Sequence, residues 1–127
     1  MELKKMTDQE LAQRMVNYIE RLERLVHEIS NYIEHKTSDA AYIKSEYRLL
    51  KQAIRTDAEY MRKQRNREGS ELYMYYFMPY IHEADAEGFT VPVNAKIDFS
   101  MFSAANTALY KLTKCWSLGE WKNAAQS

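Results

Sequence analysis

The sequence predicts an all-α protein, a long antiparallel helical hairpin covered by two shorter helices in a four-helix-bundle-like arrangement. Three observations carry that expectation. Every glycine and proline falls after residue 68, so nothing interrupts the first half. Apolar residues recur there at alternating spacings of three and four, the signature of a helical seam. Cap chemistry and seam register then place one bend at the same point, near residue 38.

Helix 1 is expected over about 7–36. Thr7-Asp8-Gln9-Glu10 has the form of a capping box, in which hydroxyl and carboxylate each serve a backbone amide of the first turn. Ala12, Ile19, Val26 and Ile33 then occupy heptad position a, and Met15, Leu22 and Ile29 position d. Thr37-Ser38-Asp39 supplies three successive N-cap candidates for the next helix, so the turn is tight.

Helix 2 is expected over about 39–68, with its seam at Ala40, Ile43, Tyr47, Leu50 and Ile54; Asp57 breaks the pattern before Met61 resumes it. Antiparallel pairing sets Ile33 against Ile43, Ile29 against Tyr47, Val26 against Leu50, Leu22 against Ile54 and Met15 against Met61. Each arm is about 40 Å long at the helical rise per residue. Tyr18, Leu25, Tyr32, Tyr42, Leu49, Ala53 and Tyr60 form a second apolar flank, which the rest of the chain is expected to cover.

Gly69 follows a basic stretch and reads as a helix stop. The segment from 70 to 87 is apolar on nearly all sides and reads as a helix kinked or restarted at Pro79, with a short strand over 72–78 left open. Phe89 to Ile97, containing Val91-Pro92-Val93, reads as an extended connector. Asp98 caps a last helix to about residue 118, stopping at Gly119. A single domain over 1–127 is expected, with 1–6 and 120–127 frayed.

Composition limits the function classes. Eighteen basic and eighteen acidic side chains cancel, so no global field draws the chain to nucleic acid or anionic lipid, and any such attraction must be local. The apolar run Leu72 to Met78 is too short to cross a bilayer and the N-terminus lacks a signal-peptide core, so no membrane partner is expected. One cysteine, Cys115, excludes an internal disulfide framework and fits a cytoplasmic location.

Local attraction has a candidate. Lys44, Arg48, Lys51, Arg55, Arg62 and Arg65 occupy successive b and e positions of helix 2, interrupted only by Ala58. Such a row suits phosphate contacts. It also suits a solvated face balanced by Glu20, Glu23 and Glu34 of helix 1, with Glu23 opposite Lys51. A second candidate is the aromatic block Tyr73, Tyr75, Tyr76, Phe77 and Tyr80, of a type enriched at protein interfaces and in cores alike.

Catalytic, metal and cofactor residues are not indicated. His27, His35 and His82 lack metal spacing, and the acids of His82-Glu83-Ala84-Asp85-Ala86-Glu87 fan around a helix axis instead of converging. Cys115 has no neighbouring base and reads as a small apolar residue. Arg21 and His27 have the Arg-x5-His spacing that resembles HEPN-type ribonucleases, also small helical bundles. Leu22 departs from the polar residue usual after that arginine, and the motif usually lies in a late helix.

The expectation is therefore a non-enzymatic accessory protein, an adaptor or inhibitor of the kind found in phage and mobile elements, which presents a rigid hairpin to another protein. A nucleic-acid-binding module using the basic face is the alternative. A second copy could complete the bundle as a homo-oligomer.

Overall fold

The computed structural model describes residues 7–35, 39–63, 72–114 and 116–126, and does not extend to the side chains of 63 and 72–74. Every regular element among them is helical. Helix α1 spans Asp8–His35 and opens on the expected capping box: the Glu10 amide donates to Thr7 Oγ1 at 3.1 Å, and the Thr7 amide donates to Glu10 Oε1 at 3.2 Å. Helix α2 spans Ala40–Lys63 and is unbroken, with Asp39 Oδ1 accepting from the Ala41 and Tyr42 amides. The bend at 36–38 and the Gly69 stop lie outside the described residues.

The seam is buried as its spacing requires. Ala12, Met15, Ile19, Leu22 and Ile29 of α1 are sealed from solvent, as are Ile43, Tyr47, Leu50, Ile54 and Met61 of α2. Val26 and Ile33 are only half-buried. Asp57, the break in the seam, is also in the core at 3% exposure.

Residues Leu72–Phe77 form a π-helical segment that runs directly into α3, Met78–Glu87, so the strand alternative for 72–78 does not hold. Pro79 falls at the junction, in the first turn of α3, where it has no amide to donate to the π-helical turn before it. Gly88 closes α3 with its amide on the Ala84 carbonyl. A Cβ there would lie 2.5 Å from Ala108 Cβ, so α3 meets α4 at a separation only glycine permits.

Helix α4 spans Phe99–Leu112, with Asp98 accepting from the Ser100 and Met101 amides. The expected single helix to 118 and frayed tail are corrected here. Helix α4 ends at Thr113, whose hydroxyl donates back to the Leu109 carbonyl, and a fifth helix, α5, spans Leu118–Gln126. The restart has its own capping box: the Ser117 amide donates to Glu120 Oε2 at 2.8 Å, and the Glu120 amide donates to Ser117 Oγ at 3.3 Å. Trp121 then buries its whole side chain, which anchors the tail.

Helices α1 to α4 form a ring in which each packs on its chain neighbours and α4 closes on α1. Helices α4 and α5 run in succession along α1: Phe102 and Ile33 line one recess, Leu109 and Ile19 another, and Lys122 reaches Glu20. Side chains of the two arms meet along the hairpin's second apolar flank. Arg14 and Tyr18 reach Asp57, Arg21 reaches Glu46, and Arg24 lies over the Tyr42 ring at 5.1 Å. Leu49 remains exposed on that flank.

Residues 89–97 connect α3 to α4 without regular structure and are pinned to α2. Tyr47 donates its hydroxyl proton to the Val91 carbonyl at 2.8 Å and meets the Phe89 ring edge-on at 5.1 Å. Phe89 has φ of 53°, held by its amide bond to the Ala104 carbonyl.

Candidate functional site

The polarity of the ion pairs across the hairpin decides what the α2 cations face. Among the described residues, both cross-hairpin bridges join a base on α1 to an acid on α2. Arg21 donates from Nε and Nη2 to Glu46 at 3.1 and 2.5 Å, and Arg14 donates to Asp57, which also accepts from the Tyr18 hydroxyl at 2.5 Å. Burial and the Asp57 carboxylate together push the Tyr18 hydroxyl well above the ordinary tyrosine range.

The three α1 acids expected to balance the row point elsewhere. Glu20 faces Lys122 at 3.9 Å, Glu34 faces His35 at 3.5 Å, and Glu23 lines a recess with Leu109 and Thr113. The expected pairing of Glu23 with Lys51 is therefore absent. Among the described residues Lys44, Arg48, Lys51 and Arg62 have no ion-pair partner, and Arg55 meets only Asp85 of α3, at 3.4 Å.

The row is not continuous. Ala58 is fully buried where α3 packs on α2, between the Arg55–Asp85 bridge and the point where Arg62 stands near His82. Arg65 lies outside the described residues. Cations of the first half converge instead: Arg48, Lys51, Gln52 and Arg55 line a groove of about 230 Å³ whose remaining wall is Val93 of the connector. That groove was not foreseen, because a connector's path over a helix leaves no periodic signal in sequence.

The aromatic block is mostly internal. Phe77 is buried, Tyr80 is half-buried, and Tyr76 stacks on Trp116 at 4.3 Å, which in turn meets Trp121 edge-on at 4.8 Å. Tyr75 alone of the four described projects outward, at 67% exposure. The Tyr73 side chain lies outside the described residues.

No cluster of three or more metal-ligating side chains occurs among the described residues. The acids of α3 diverge, Glu83 toward Lys111 and Lys114, Glu87 toward Lys111, and Asp85 toward Arg55. Burial, with help from Arg62, lowers the His82 pKa against the opposing pull of Asp85. Arg21 is held by Glu46, whereas His27 lies beside Asn31 at 3.2 Å on the exposed side of α1, so the pair with HEPN-like spacing has separate partners. Cys115 is outside the described residues. No described helix is long and apolar enough to cross a membrane.

Comparison with known protein families, with curated proteins and with solved structures finds no match to this chain.

Proposed function

We propose that this chain is a non-enzymatic accessory protein that docks another protein through the basic groove of α2, taking up an acidic segment of that partner. One observation carries the reading: Arg14 and Arg21 of α1 engage the acids of α2, and Glu20, Glu23 and Glu34 face elsewhere. Among the described residues, Lys44, Arg48 and Lys51 are therefore left for an external anion beside Arg55, which meets Asp85. The groove is short and bounded by Asp85 and Ala58, and an apolar side chain forms part of its wall. Those features favour a compact protein segment over a nucleic-acid backbone, which needs a longer track of cations and gains from net positive charge.

The test is co-purification from the native cell with the intact chain and with an Arg48→Glu, Lys51→Glu variant, each with and without nuclease. A protein partner that survives nuclease and is lost from the variant supports the reading. Retention by the variant contradicts it. Loss on nuclease treatment, together with duplex binding that weakens steeply with salt, transfers the groove to nucleic acid.

A further inference from the structure

We propose that the groove lined by Arg48, Lys51, Gln52, Arg55 and Val93 is a phosphate-monoester site, which takes a phosphorylated side chain of the partner protein. The inference rests on the docking role proposed above and names the chemistry of the ligand. Residues 48, 51, 52 and 55 fall at i, i+3, i+4 and i+7 of α2, so their side chains share one face over about 10 Å of helix. Three of the four are cations, and no acid lines the cavity between them.

Arg48 and Lys51 carry no compensating acid and Arg55 meets Asp85 only at 3.4 Å, so the like charges around the cavity repel one another and a bound anion relieves that repulsion. How the anion's charge is distributed separates the possible ligands. A run of carboxylates spreads single charges along a chain, whereas a phosphate monoester concentrates about two in one group with three acceptor oxygens. A groove of about 230 Å³ has room for one such group and its carbon stem.

Donor geometry agrees. Asp85 meets Arg55 through Nε at 3.4 Å, which leaves the two terminal nitrogens of the guanidinium for a ligand. Arg48 supplies a second guanidinium, Lys51 a point charge, and Gln52 an amide for an ester oxygen. Val93 stands opposite as an apolar wall for the carbon bearing the phosphate, on a connector tied to α2 by the bond from Tyr47 to Val91. Lys44 lies one turn before Arg48 and is exposed, in place to meet an acid flanking the phosphorylated residue.

The experiment titrates the full chain with four probes, following its backbone amide resonances: inorganic phosphate, a short phosphoserine peptide, the same peptide with glutamate in place of phosphoserine, and a random-sequence duplex. The phosphopeptide is expected to give saturable shifts centred on 48–55 and on Val93, with affinity at least about tenfold above the glutamate peptide. Inorganic phosphate shifts the same amides more weakly. Arg48→Gln and Lys51→Gln, both at solvent-accessible positions, each weaken phosphopeptide binding, whereas Arg62→Gln, beyond the groove, leaves it unchanged.

Equal affinity for the glutamate peptide overturns the phosphate assignment while the groove stands as a docking surface. Absence of saturable shifts at 48–55 with either peptide overturns it as well, and partner retention by the charge-reversed variant then removes the docking role too. Duplex binding tighter than phosphopeptide binding assigns the oxyanion to nucleic acid and also overturns the proposal.

Discussion

Asp57 joins the two arms of the hairpin through one buried side chain. Its carboxylate is buried yet satisfied, taking one proton donor from Arg14 and one from Tyr18. Replacing Asp57 with alanine leaves the Tyr18 hydroxyl short of its acceptor, and the expected cost is about 2 kcal/mol in urea unfolding. Arg14→Gln costs less, because the arginine head is half in water while the carboxylate keeps its bond from Tyr18. The sequence shows Asp57 only as a break in an apolar pattern; its partners stand one and two turns along the facing arm, at positions 14 and 18, where neither residue type is unusual. His82 offers a second reading at this scale. Its pKa is depressed in the folded protein, so the stability it contributes is full above the unfolded value of about 6.5 and is lost as pH falls through the lower folded value. Arg62→Gln is expected to raise the His82 pKa toward the ordinary value in an NMR titration and to reduce this acid sensitivity. A His82 pKa unmoved by the substitution would show that burial alone sets it.

At the scale of the elements, caps and close approaches decide where helices begin, end and touch. The expected box at Thr7 and cap at Asp98 were legible because each stands just before an apolar periodic run. Ser117-Leu118-Gly119-Glu120 is an equally good box, but Gly119 reads as a stop from sequence; in the structure it lies inside the first turn of α5, where the cap holds it. Ser117→Ala is expected to cost about 1 kcal/mol and to speed amide exchange through α5, with the exchange of α2 unchanged. Gly88 likewise reads as a plain helix stop, and its second role shows only in three dimensions. Its missing side chain lets α3 approach Ala108 of α4, so Gly88→Ala is expected to destabilise by about 2 kcal/mol, measured as a lower urea midpoint at unchanged m-value. The π-helical turn at Leu72–Phe77 was not legible, because periodicity places a segment apolar on every side on no single face.

Across the whole molecule, the bundle class was readable because a long, uninterrupted seam fixes two helices and their direction, and the remaining apolar segments must then close the ring. Which faces stay open was not readable in the same way. Tyr76 and Phe77 turn inward because α5 and Trp116 complete a core that the sequence does not announce, while the cations of α2 stay open because the arms bridge with the opposite polarity to the one expected. Net charge is zero over the chain, yet its distribution leaves one half-face of α2 uncompensated. A claim of uncompensated charge can be tested without any partner. Neutralising Lys44, Arg48 and Lys51 together to glutamine relieves like-charge repulsion only if no acid opposes them, so thermal or urea unfolding at low ionic strength should show the triple variant more stable by about 1 kcal/mol. That gain should vanish at high salt, where exposed charges are screened. A variant less stable than the parent at low salt, and equal to it at high salt, would mean that those cations are paired within the fold and that the groove is not held open for an anion.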